Sequence, residues 1–223
     1  MSENTEVMVP SDVGPAVLGP DFWSALQWAS TEHQTQDRKG KPKVPYVSHL
    51  LGVASLVLEA GGTETQAVAA LLHDIVEDQD VTPEQIRARY GERVERIVLA
   101  CTDDLPGSGE ESTRDEADWS ARKQEYLAHL AEEHDEDILI VSGADKLHNA
   151  RAIVADLRAG APALTSFNAP PDKQLWYYKK LDEILVDKLP AYLRRELRAA
   201  IEELTRLTNL PLEAAAWNAA HSP

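Results

Sequence analysis

The chain has 223 residues, 43% of them hydrophobic and 27% charged, enough for one well-buried globular core. Its 22 basic residues stand against 38 acidic ones, and a net charge of −16 argues against general binding to nucleic acid or anionic membranes. A single cysteine, Cys101, excludes an internal disulfide and fits a reducing cytoplasm; there is no apolar run of about 18 residues and no signal-peptide pattern at the N-terminus.

Residues 1–19 mix Pro, Gly and polar side chains without periodicity and read as a flexible leader. The spacing of Phe22, Leu26, Ala29 and His33 predicts a first helix, capped by Asp21. A loop punctuated by Pro and Gly follows, with Arg38, Lys39, Lys41 and Lys43 inverting the local sign of charge. Ser48 reads as the cap of a helix from His49 to about Ala60, stopped by Gly61 and Gly62. A lone histidine in a first helical turn is more often a surface or capping residue than a ligand.

The next helix is the one around which the chain is organised. Thr63 and Gln66 form a capping-box pattern, and the apolar run Ala67 to Leu72 leads directly into His73-Asp74-Ile75-Val76-Glu77-Asp78. At about 100° per residue, an unbroken helix stacks Glu77 on His73 and Asp78 on Asp74. An imidazole beside a carboxylate suits a divalent metal, and two carboxylates one turn on suit a metal-bound water. The alternative is an acidic, solvated helix end; the apolar residues leading in favour a cleft.

Thr82-Pro83-Glu84-Gln85 signals another helix start, with Gly91 breaking the helix and a second segment running from Glu92 to about Cys101. Residues 103–118 read as a long acidic loop and Trp119 to about Glu133 as a helix carrying Arg122 and Lys123. Ile138 to Val141 has strand character, but the apolar periodicity through Ile153, Val154 and Leu157 favours one long helix ending near Gly160. Asp145 and Asn149 share a face of it, with Arg151 near the edge. Two amphipathic helices, about 172–187 and 190–207, and a tail from residue 209 complete the chain.

Three pieces in order, Pro45-Tyr46-Val47-Ser48-His49, Ala70 to Asp78, and Ala144-Asp145-Lys146-Leu147-His148-Asn149-Ala150-Arg151, resemble the HD-domain hydrolases of the RelA/SpoT group, best of all the stand-alone small alarmone hydrolases. Arg38-Lys39-Gly40 precedes them as the basic loop of that group. The resemblance covers roughly residues 22–190. It implies an all-α fold, a single HD-domain bundle of eight to ten helices over residues 20–208. It further implies that His49, His73, Asp74 and Asp145 bind one manganese ion per chain, and that Glu77 and Asp78 position or deprotonate the attacking water. Arg38, Lys39, Tyr46, Lys146, Asn149 and Arg151 would bind the substrate. The implied reaction removes the 3′-pyrophosphate from guanosine (or adenosine) tetra- or pentaphosphate alarmones in the cytoplasm.

The loop from Arg38 to Pro45 is longer than in the large two-activity members, the acidic stretch at 103–118 has no counterpart in them, and no synthetase domain follows, so degradation alone is expected. Another HD-domain nucleotide phosphohydrolase, or a catalytically idle binding or antitoxin-like module, are the rival expectations. No ligand position is lost, which weighs against the idle module. The oligomeric state stays open between monomer and homodimer.

Overall fold

The structure, a computed structural model, describes residues 18–38, 43–102, 116–160 and 170–208, with the side chains of 116–118 left aside. The proposed leader up to residue 17, Lys39, Lys41, most of the acidic loop and the tail lie outside the described residues. Helices account for the architecture: α1 Pro20–Glu32, α2 Val47–Glu59, α3 Glu64–Leu72, α4 Ile75–Asp78, α5 Pro83–Cys101, α6 Glu116–Glu132, α7 Glu136–Arg158, α8 Pro171–Leu185 and α9 Ala191–Thr208. Residues 138–141 are helical, within α7.

The middle of the bundle is α7, packed against α9, α2, α3 and α5. Every residue from Ile138 to Leu147 is buried, so this helix is surrounded rather than amphipathic. Leu50, Leu71, Leu72, Ile75, Leu147 and Leu181 are among the fully buried side chains of the common core. Each contributes about 1.5–3 kcal/mol by leaving water, and a change such as Leu71→Ala would cost about 2–5 kcal/mol. The polar groups carried by α7 are therefore held on a rigid element.

Local chemistry explains most helix ends. Thr63 and Gln66 form the expected capping box, with the Thr63 N–H donating to Gln66 Oε1 at 2.7 Å and the Gln66 N–H to Thr63 Oγ1 at 3.3 Å. Gly91, at φ +86°, breaks α5 into two segments as expected, in a backbone region that side chains with a Cβ adopt rarely. Three expectations are corrected. Helix α1 begins at Pro20 with Gly19 as its cap, and a distant carboxylate, Glu64, accepts from the Gly19 N–H at 2.7 Å and the Phe22 N–H at 3.3 Å. Helix α2 begins one residue before Ser48, at Val47. Helix α6 begins at Glu116, inside the stretch read as loop.

The most consequential correction concerns the central stretch. Helix α3 stops at Leu72 and α4 restarts at Ile75, so no unbroken helix runs from Thr63 to Asp78. The His73 ring donates from Nδ1 to the Ala70 carbonyl at 2.8 Å, a local side-chain bond that competes with the helical ladder. Asp74 follows at φ −100° and ψ −1°, in the sparsely populated bridge region where active-site residues recur.

Candidate metal centre

Three elements bring the expected metal ligands to one place. His49 comes from the first turn of α2, His73 and Asp74 from the break between α3 and α4, and Asp145 from buried α7. One donor atom from each of His49, His73 and Asp74 lies within 4.8 Å of the others. Asp74 Oδ2 lies 3.0 Å from His73 Nε2 and 3.5 Å from His49 Nε2. Asp145 Oδ1 lies 3.2 Å from His49 Nε2 and 3.6 Å from His73 Nε2. His49, at a position where a surface or capping residue is the commoner expectation, is 1% exposed.

The donor set fits a divalent cation. Because His73 Nδ1 carries its proton to the Ala70 carbonyl, Nε2 presents a lone pair, and that buried atom has no hydrogen-bond partner. It faces two carboxylate oxygens, so three lone-pair-bearing atoms converge where only a cation or proton satisfies them. Two imidazoles and two carboxylates are the mixed nitrogen and oxygen donors that a hard-to-borderline divalent ion takes.

Electrostatics agree with the geometry. Burial alone would depress the His73 imidazolium, but Asp74 and Asp145 outweigh it and hold the pKa well above its ordinary value. Burial would raise both carboxylates; His73 and His49 hold Asp74 well below the usual range, and Lys146 with the two imidazoles does so for Asp145. Tyr46 Oη donates to Asp74 Oδ2 at 2.6 Å, and burial together with Asp74 raises the phenol.

Around this cluster the expected substrate-binding residues divide. Asn149 donates from Nδ2 to Asp145 Oδ1 at 2.6 Å and accepts from Arg38 Nη2 at 3.0 Å, so the basic loop does reach the centre through Arg38. Asp37 and Pro45 form an isolated antiparallel bridge. Lys146 Nζ sits 2.8 Å from Asp145 Oδ2 and 4.6 Å from the ring centroid of Tyr126. Lys43 pairs with Asp37 at 3.3 Å, and Lys123 lies 5.2 Å from the Tyr177 ring centroid. Arg151 is drawn elsewhere: its Nη2 pairs with Glu196 Oε2 of α9 at 2.7 Å. Glu77 and Asp78 are exposed residues of α4, but the Asp78 carboxyl group itself is partly desolvated, and this together with Asp74 raises it above its ordinary value.

His148 belongs to the Ala144–Arg151 motif, and the structure gives it a role. Its Nδ1 lies 2.9 Å from His49 Nδ1. With His49 Nε2 facing the carboxylates, the His49 proton belongs on Nδ1, and His148 accepts it. Burial and the neighbouring His49 and Arg38 push His148 down to about 3, so it stays a neutral acceptor. The approach depends on Gly52, where a Cβ would stand 2.2 Å from His148 Cδ2 and Nε2. The spacing of His148 three residues after Asp145 was a usable signal, but only the packing of α2 against α7 makes sense of it.

A helical bundle that gathers a His-Asp pair with one further histidine and one further aspartate defines a class. The chain belongs to the HD-domain family, whose model matches residues 25–165. Among curated proteins it is similar to the guanosine-3′,5′-bis(diphosphate) 3′-pyrophosphohydrolase MESH1 of Xenopus tropicalis, 36% identical over 129 residues, which are 57% of this chain and 66% of that protein, just under two thirds of its length. The enzyme of the same name from Drosophila melanogaster is 32% identical over 165 residues, 73% of this chain and 84% of that one. A solved structure described as a metazoan ortholog of SpoT that hydrolyzes ppGpp superposes with a TM-score of 0.67 at 29% identity, covering 87% of this chain and 99% of that one. Among the described residues, no helix is long and apolar enough to cross a membrane.

Proposed function

We propose that this chain is a manganese-dependent hydrolase that removes the 3′-pyrophosphate from guanosine (or adenosine) 3′,5′-bis-phosphate alarmones in the cytoplasm, with residues 20–208 as its catalytic domain. The observation that carries the reading is the convergence of His49, His73, Asp74 and Asp145 beside the Arg38–Asn149 pair. The printed names of the relatives supply the substrate class.

His49, His73, Asp74 and Asp145 would hold the ion. A bound divalent cation lowers the pKa of water and polarises a phosphoryl oxygen. Asp78, with Oδ2 held by an amide donor, would take a proton from the attacking water, and Glu77 stands beside it on α4 as the second carboxylate. Arg38 and Asn149 orient the nucleotide, and Lys146 offsets the carboxylates beneath it. Water adds to the phosphorus attached to the 3′ oxygen, the bond between that phosphorus and the 3′ oxygen breaks to release pyrophosphate, and the proton taken up by the carboxylate is returned to the 3′ oxygen, so the nucleoside 5′-di- or triphosphate leaves with a 3′-hydroxyl.

The test is product analysis with purified protein, manganese and a panel of purine nucleotides phosphorylated at the 3′ and 5′ positions. Release of pyrophosphate together with GDP, GTP or the adenosine analogues supports the reading. Release of inorganic phosphate alone, or of cyclic-nucleotide products, points to another HD-domain phosphohydrolase and overturns it.

A further inference from the structure

A buried histidine outside the metal cluster remains unexplained. His33, in the turn after α1, is 2% exposed, and its Nε2 is buried without a hydrogen-bond partner. Its other nitrogen lies 2.6 Å from Gln36 Oε1, and since that oxygen only accepts, His33 Nδ1 carries the proton. Gln79, just past α4, donates from Nε2 to the same oxygen at 2.7 Å; this Nε2 also lies 3.2 Å from His33 Nδ1, a longer contact than the 2.6 Å one that Nδ1 makes to the oxygen. Two donors on Oε1 fix which way the Gln36 amide points. Its Nε2 is thereby turned to Asp78, donating to Oδ2 at 2.8 Å, and a flipped amide would set a carbonyl against a carboxylate.

The same histidine lies flat against Tyr46, with ring centroids 5.1 Å apart and planes 17° from parallel. Tyr46 in turn holds Asp74 through its hydroxyl, and its backbone N–H donates to the Gln36 carbonyl at 2.9 Å. The turn after α1 thus braces one carboxylate through a hydrogen-bonded amide and the other through a stacked phenol.

We infer that His33, Gln36 and Gln79 form a positioning bracket that aims the Asp78 carboxylate, with His33 acting through its Nδ1 proton and not through charge. The bracket rests on the proposed hydrolase reading for what Asp78 does, though not for how Asp78 is held. A buried, singly donating imidazole serves this purpose because the neutral Nδ1–H form gives Oε1 a donor while Nε2 lies away from water.

Four variants separate the bracket from ordinary packing. Gln36→Leu removes the donor to Asp78, and Gln36→Glu keeps an acceptor for His33 but turns a carboxylate towards Asp78. His33→Asn keeps a donor near the Nδ1 position, whereas His33→Phe keeps the flat ring over Tyr46 and loses the donor. The expected result is a fall of about 10–100-fold in kcat for Gln36→Leu, Gln36→Glu and His33→Phe, the usual range for an outer partner, with KM and manganese content near wild type. His33→Asn should retain most of the wild-type kcat. Full turnover in Gln36→Leu, or equal losses in His33→Asn and His33→Phe, would overturn the inference.

A readout that needs no turnover accompanies these. Nitrogen-15 spectra of the ring should show His33 neutral, protonated at Nδ1 and bare at Nε2, with the signature altered in Gln36→Leu. A proton on Nε2 refutes the bracket. If the wild-type protein releases no pyrophosphate, the functional reading fails while these spectra still decide how Asp78 is held.

Discussion

Gly52→Ala is the substitution that most directly tests how the metal centre is braced. The new Cβ would lie 2.2 Å from His148 Cδ2 and Nε2, and the ring cannot retreat without leaving His49, whose Nδ1 is 2.9 Å away. Overpacking of this kind costs about 1–3 kcal/mol. For a chain of this size each kcal/mol lowers Tm by about 2–4 °C, so the expected fall is about 2–12 °C. Losing the acceptor that orients His49 should also weaken manganese binding by about 10–100-fold. Calorimetric melting and titration of manganese into the metal-free protein measure the two effects. In Gly52→Ala/His148→Ala the clash is gone but so is the acceptor, so most of the melting temperature should return while the metal affinity should not. A double variant that regains tight metal binding would show that His148 only fills space. Wild-type behaviour of Gly52→Ala would refute the close approach itself.

The roles within the central stretch are separable: His73→Ala should lose both bound manganese and activity, whereas Glu77→Gln should keep its metal and lose about 10²–10⁴ in turnover. A metal-free or fully active Glu77→Gln protein would contradict that assignment. Burial pushes the Cys101 thiol up to about 11, so the native protein at pH 8 should react with a thiol reagent far more slowly than the chain unfolded in guanidinium; equal rates would count against it. Nucleotide affinity, measured on the Glu77→Gln protein, should fall at least about tenfold when manganese is replaced by chelator, and equal dissociation constants would refute a linkage between metal and nucleotide.

The helices were legible in the sequence because their ends are punctuated chemically. Thr63 with Gln66, Gly91 and Gly160 mark boundaries that the structure places within a residue or two. The cap on α1 was not legible, because Glu64 reaches it from 45 residues away and no local pattern records that contact. Periodicity also hid the break at His73-Asp74, since a side-chain bond to Ala70 interrupts the ladder without Gly or Pro. The histidines and aspartates of the site stood out as residue types in a recognisable order. Their outer partners did not: Gln36, Gln79 and His33 are ordinary polar residues near helix ends until the turn after α1 meets the end of α4. Arg151 shows the converse, a cation placed near the site by helical spacing and engaged by Glu196 when α9 packs on α7.

The charge of the protein gives the metal a second purpose beyond chemistry. The cleft gathers four carboxylates, Asp74, Glu77, Asp78 and Asp145, against two nearby cations, Lys146 and Arg38. With the His73 imidazolium held by Asp74 and Asp145, one negative charge stands in excess before the rest of a −16 chain is considered. At an effective dielectric of about 20, two like charges about 6 Å apart repel by about 3 kcal/mol, enough to weaken binding by more than a factor of ten. A divalent ion cancels that excess on the spot, whereas distant surface lysines are screened over about 8–10 Å at physiological ionic strength. The anionic nucleotide therefore meets a neutral or positive cleft only in the loaded protein. By reciprocity the nucleotide must tighten the hold on the ion by the same factor. On the proposed reading, the four carboxylates of the site and the cation they would hold are thus one device, in which metal occupancy would decide whether a polyphosphate can enter.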